Sequence, residues 1–153
     1  MGKTEHQKLK ILYILELLYE QTDEKHAVRM KEIVAYLNQK GISAERKSIY
    51  RDLENLQDSF IISEALRYDV KGRKYIGAGT KYYFEDLGIR NAVLDFRQIE
   101  YTHIMENVIY NELRKQGYGV DVGVVESFKR DENGKLQRRN LEIDFVVNRH
   151  DER

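Results

Sequence analysis

Cysteine and proline are both absent from this chain of 153 residues. Without cysteine, no disulfide and no thiolate zinc site can form, which suits a reducing cytoplasm. No apolar run approaches the ~20 residues that a membrane-spanning helix needs. The start, MGKTEHQK, has none of the apolar core of a signal peptide. No sign of charge is in excess: 26 basic and 26 acidic side chains cancel, and they are spread evenly along the chain. A protein held to nucleic acid by bulk charge carries a strong basic excess. Contact with nucleic acid would therefore have to come from a local patch. There is also no low-complexity segment, no internal repeat and no obvious linker. The length suits one ordinary domain or two small ones. These features predict a cytoplasmic protein with no membrane association.

The most informative stretch that is present is GISAERKSIYRDLENL, residues 41–56. It reads as a helix with one apolar and one cationic face. Ser43 is the expected N-cap, because its hydroxyl can accept from the unpaired N–H groups of the first turn. Ile49, Leu53 and Leu56 fall at i, i+4 and i+7 and make an apolar stripe. Arg46, Lys47, Tyr50 and Arg51 fall on the other side, near the N-terminal end. A helix in the major groove reads base edges with its N-terminal residues, and Arg or Lys suits guanine and phosphate there.

Upstream, KLKILYILELLYE at 8–20 predicts a strong helix. Leu9, Leu12, Tyr13 and Glu16 follow its period, and Ile11, Leu15 and Leu18 widen the apolar face. Residues 27–30 suit a short extended piece. Residues 31–39 predict a second helix, with Ile33, Val34 and Leu37 inward and Gly41 at its C-terminal cap. Two helices around a glycine turn have helix-turn-helix spacing. Beyond Leu56, residues 59–68 and RKYI at 73–76 read as strands around a turn at 69–72. Such a hairpin would bring Arg67, Lys71, Arg73 and Lys74 together near its tip, suited to a phosphate backbone or a minor groove; a solvated turn with ordinary surface charge accounts for them equally well.

Residues 8–56 resemble the N-terminal winged-helix domain of bacterial transcriptional regulators whose sensing domain is named for a Trp-Tyr-Leu motif. The resemblance rests on KLKILYILELL, TDEKH and AERKSIYRDLENL. It implies that Arg46, Lys47, Ser48, Tyr50 and Arg51 face DNA. The family often caps its second helix with Thr; here the position is Arg29, a poor cap. No counterpart of the sensing domain is read.

The second half reads differently. KYYFEDLGIRNAVLDF predicts a short aromatic strand, then a short helix capped by Asp86 and running to about Asp95. Tyr82 and Tyr83 alternate faces of the strand. THIMENVIYNELRKQ at 102–116 predicts a helix with Ile104, Val108, Ile109 and Leu113 inward, closed by Gly117. A strand follows at 118–125, then an Asn-Gly turn signal at 131–135. LEIDFVV at 141–147 predicts a strand with Leu141, Ile143, Phe145 and Val147 on one face and Glu142 and Asp144 on the other.

Glu106 on a helix, with Glu142 and Asp144 on a strand, has the hard oxygen character of a magnesium-dependent nuclease site. A solvated acidic strand face accounts for the last two as well. Residues 58–147 resemble the C-terminal domain of unknown function of AAA-type ATP-binding proteins, which has a PD-(D/E)XK nuclease-like fold. The matching words are DSFIISEALRYDVKGRKYI, KYYFEDLGIRNAVLDFR, HIMENVIYNELRKQGYGVDVGVV and LEIDFVV. Two departures count against catalysis. No segment fits G-x-x-x-x-G-K-[ST], since GAGTK at 77–81 has too few spacers. No third nuclease motif follows LEIDFVV. Glu106, Glu142 and Asp144 are therefore read as vestigial. Histidines 6, 26, 103 and 150 show no metal-ligand spacing and read as surface or capping residues.

The expected fold class is α+β: a winged helix-turn-helix over 1–76, then a partial nuclease-like α/β region over 77–153. The two resemblances meet near Gln57 and Asp58. The expected function is double-stranded DNA binding by a transcriptional regulator, as a homodimer on two half-sites, with no metal, cofactor or nucleotide. The alternative is a fragment of an AAA-type protein, catalytically inactive or partner-binding. A partner would have an unpaired sheet edge to pair with.

Overall fold

A computed structural model describes residues 3–21, 28–93, 101–130 and 135–149. Among them the chain forms five helices and a four-stranded sheet, a mixed α+β architecture. The helices are α1 (Lys3–Gln21), α2 (Met30–Gln39), α3 (Arg46–Asp58), α4 (Leu87–Val93) and α5 (Tyr101–Lys115). The strands are β1 (Ile62–Asp69), β2 (Lys74–Phe84), β3 (Tyr118–Arg130) and β4 (Leu136–Arg149). The sheet order is β2-β1-β3-β4. β1 pairs antiparallel with β2 and parallel with β3, and β3 pairs antiparallel with β4.

Local chemistry sets most of the helix ends. At Arg29 the side chain offers no cap; the Glu32 carboxylate instead accepts the Arg29 backbone N–H at 2.7 Å. Gly41 and Gly117 take φ +77° and +86° just past α2 and α5, the left-handed conformation that glycine adopts without steric cost. Asp86 caps α4 as expected, accepting from the N–H of Gly88 at 2.7 Å and of Ile89 at 3.1 Å. Ser43 does not cap α3. That helix begins at Arg46 behind Glu45, and the Ser43 carbonyl accepts from Gln7 Nε2. Arg29 and Val28 form the expected extended piece, where Val28 makes an antiparallel bridge to Thr80.

Two cores result. The first gathers Ile14, Leu17, Leu18, Ile33, Leu37, Ile42, Ile49, Leu53 and Leu56 from the helices, with Val28, Ile62, Tyr82 and Phe84 from the extended segments. Tyr19 stacks on Phe84 with ring centroids 4.2 Å apart. The second core lies under α5 and holds Ala65, Tyr83, Tyr110, Val120 and Val122. Tyr82 and Tyr83 thus point to opposite faces of β2, one into each core.

The expected boundary at 76/77 falls inside β2. That strand supplies Tyr82 and Phe84 to the helical core and Tyr83 to the core under α5. β1 also joins β3 directly through Arg67, Tyr68 and Asp69. The two halves share one sheet, so the hairpin is not a free-standing wing.

Three expected faces need correction. On α1 the buried line is Lys10, Ile14, Leu17 and Leu18, while Leu9 and Leu12 are exposed. On α5 the inward residues are His103, Glu106, Asn107 and Tyr110. Val108 and Ile109, expected inside, are exposed, together with Tyr101 and Met105. His103 is therefore buried and not a surface residue. On β4 the pairing slips between Asp121 and Gly123, which puts an extra residue into β4. Glu142 and Phe145 then both face α5, and the simple alternation over 141–147 is broken. The turn expected at 131–135 lies mostly outside the described residues, as does the end of the helix expected near Asp95.

The face of the sheet turned away from α5 carries Ile143 and Val146. Gly123 lies there, and a Cβ on it would come within 2.9 Å of Ile143 and Val146. Leu66, Val70, Leu141 and Ile143 remain exposed.

Candidate functional site

The basic face of α3 is built as its sequence pattern predicts. Ile49, Leu53 and Leu56 are buried in the helical core. Arg46, Lys47, Tyr50 and Arg51 are exposed on the other side. Ser48 departs from the expectation. It is half-buried and accepts a hydrogen bond from Lys10 Nζ, so it faces α1 and not solvent. Lys10 also pairs with Asp52 at 2.9 Å. One buried ammonium thus anchors two successive turns of α3 and leaves its cationic side outward.

The hairpin tip gathers only part of the expected cluster. Lys71, Arg73 and Lys74 are exposed around the turn. Asp69 Oδ1 accepts from the N–H of Lys71 and of Gly72, which closes the turn. Lys71 Nζ donates to the Glu126 carbonyl at 3.1 Å, tying the tip to β3. Arg67 points elsewhere: its guanidinium donates to Glu142 Oε2 at 2.6 Å.

Glu106 and Glu142 are brought together, but through a residue that the motif reading left out. Lys81 Nζ lies 2.7 Å from Glu106 Oε1 and 3.2 Å from Glu142 Oε1. The Tyr83 hydroxyl donates to Glu106 Oε1 at 2.5 Å. Lys81 and Glu106 are buried, and Glu142 is about one-fifth exposed. Burial alone would pull the Lys81 ammonium below the usual lysine range; the hydrogen bond and charge of Glu106, with help from Glu142, more than offset this and hold it above. Burial first, and then the Glu106 carboxylate, push the Tyr83 phenol well above its ordinary range. Asp144 is exposed and makes no part of this cluster. Among the described residues, no three His, Asp or Glu side chains converge at metal-binding spacing.

Sequence reasoning missed Lys81 because GAGTK was weighed only as a phosphate loop. In the structure it is part of β2. The available signal was the alternation of KYYF, which puts Lys81 and Tyr83 on one face.

No family model matches the chain, and no solved structure matches it. Among curated proteins it is similar to an uncharacterized protein of Haemophilus influenzae, with 28% identity over 125 residues. The match covers 82% of this chain and 28% of that protein, so the chain spans less than a third of this relative's length. No helix among the described residues is long and apolar enough to cross a membrane.

Proposed function

We propose that the chain binds double-stranded DNA through α3, as a regulator of the winged-helix type. The observation that carries this reading is the division of α3 into a buried apolar stripe and an exposed side with Arg46, Lys47, Tyr50 and Arg51. An outward cationic helix end is the geometry for groove entry and phosphate contact. The element order supports the same reading. Three helices, a short extended piece at Val28 and a hairpin whose second strand returns to meet it follow the order of a winged helix. Lys71, Arg73 and Lys74 are then the hairpin's candidate phosphate contacts. With zero net charge, the non-specific component should be weak and strongly salt-dependent. A homodimer on two half-sites is part of the proposal.

The test is duplex binding by Arg46→Ala/Arg51→Ala across a salt series. Loss of two phosphate contacts should weaken binding and reduce the salt slope by about 0.9 per contact. Unchanged affinity and slope in a folded double variant would remove α3 from the interface.

A second reading has its own observation. The Glu106, Glu142 and Lys81 cluster sits in the region that resembles the nuclease-like domain. Both carboxylates are engaged by cations of the chain. This supports a catalytically silent domain that serves as scaffold or partner surface.

A further inference from the structure

Glu106 and Glu142 come from elements far apart in sequence, α5 and β4, yet their carboxylates meet at the ammonium of the buried Lys81. Two carboxylates at such a point repel, and leaving water costs each of them heavily unless a cation lies between. Here that cation is an amine covalently part of β2. Arg67 neutralises the outer oxygen of Glu142, so two cations balance two carboxylates. Glu106 Oε2 is buried with no hydrogen-bond partner among the described residues. A carboxylate left with one oxygen idle has coordinating capacity that the ammonium does not use. Glu142 is the partly exposed member, which gives the point a route to solvent.

We propose that the Lys81 ammonium is the resident cation of a two-carboxylate site, and that it holds the place a hard divalent ion would otherwise take. The available donors are Glu106 Oε1 and Oε2 and Glu142 Oε1. Magnesium-like ions are held by one or two carboxylates with water completing the shell, so this set is sufficient. With Lys81 in place the point is closed to metal by the chain's own charge. Without it, the carboxylates recruit a divalent ion. The arrangement belongs to the sheet and α5, and it does not depend on α3 touching DNA.

The experiment uses the full chain with Mn²⁺ as probe, followed by calorimetric titration, Mn²⁺ paramagnetic resonance and thermal melting. The wild-type chain and Lys81→Arg, which keeps a cation, should show no saturable Mn²⁺ binding at this point. Lys81→Ala should melt lower than wild type and regain melting temperature as Mn²⁺ is added. It should bind one Mn²⁺ saturably, where wild type binds none. Adding Glu106→Gln to Lys81→Ala should abolish that binding. If Lys81→Ala folds only with Mn²⁺, the proposal stands. If it stays unfolded with Mn²⁺, or folds and binds none, the point is no cation site and the proposal fails. Equal Mn²⁺ binding by wild type, lost on Glu106→Gln, would show that Lys81 does not hold the place.

Discussion

Tyr110 donates its hydroxyl to the Glu64 carbonyl at 3.0 Å and stacks on Tyr83, with centroids 4.0 Å apart. Burial is the main cause that pushes its phenol up to about 12. Tyr83 and Tyr82 are raised further, again chiefly by burial. The folded chain therefore holds these protons more tightly than the unfolded chain, whose tyrosines titrate near 10. Their stabilising effect is complete below about pH 10 and is lost as pH rises toward 12 and beyond. Melting temperature should be flat in this respect through neutral pH and fall steeply in that alkaline window. Tyr110→Phe should soften the fall. An alkaline limb identical in the variant would show that Tyr110 is not among the groups responsible.

At the scale of the element, α5 is the informative case. Its sequence presents apolar residues at a regular helical spacing, yet it buries its polar side. The reason lies in what it packs against. The Asn107 amide accepts from the Phe84 N–H at 2.8 Å and donates to the Phe84 carbonyl at 2.7 Å. Glu106 meets Lys81 and Tyr83. These bonds satisfy buried groups that an apolar helix face would strand. Asn107→Leu should cost about 1–3 kcal/mol, because the Phe84 N–H loses its partner at a buried place, while the Phe84 carbonyl keeps its bond from Asn111. Val108→Asn, on the outer face, should stay within about 0.5 kcal/mol of wild type. Chemical denaturation of the two variants separates the orientations. A larger loss from Val108 than from Asn107 would restore the helix to its expected face.

For the whole molecule, β2 decides how the chain divides. A first-half fragment ending at residue 76 lacks Tyr82 and Phe84, both buried among the helices, and lacks Thr80, the partner of Val28. Circular dichroism melts should show little cooperative unfolding for 1–76 and a clear transition for 1–86. Equal transitions would mean that the helices form a sufficient core without the returning strand. Full-length hydrogen exchange should show stronger protection along 49–56 than along 141–147. The first lies on a helix packed into the core, and the second on an edge strand with a slip in its pairing.

The sequence by itself determined the elements. Period, capping Asp86, and the glycines at 41 and 117 place every described helix and the central strands, because these signals act within a few residues of one another; they do not show that the strands read at 73–76 and at KYYF are one strand, β2. It also determined the basic face of α3, since Ile49, Leu53 and Leu56 anchor one side of a single helix and leave Arg46, Lys47, Tyr50 and Arg51 on the other. Only the tertiary structure decided which side of α1 and of α5 turns inward. An inward Lys10 needs Asp52 and Ser48, and an inward Glu106 needs Lys81, partners 25 or more residues away that no local pattern encodes. It also decided that Ser48 belongs to the packing and Arg67 to Glu142. Above all, it decided that the two halves are one sheet, because strand pairing between β1 and β3 is a contact between distant segments, and backbone hydrogen bonds carry no mark in the side-chain pattern.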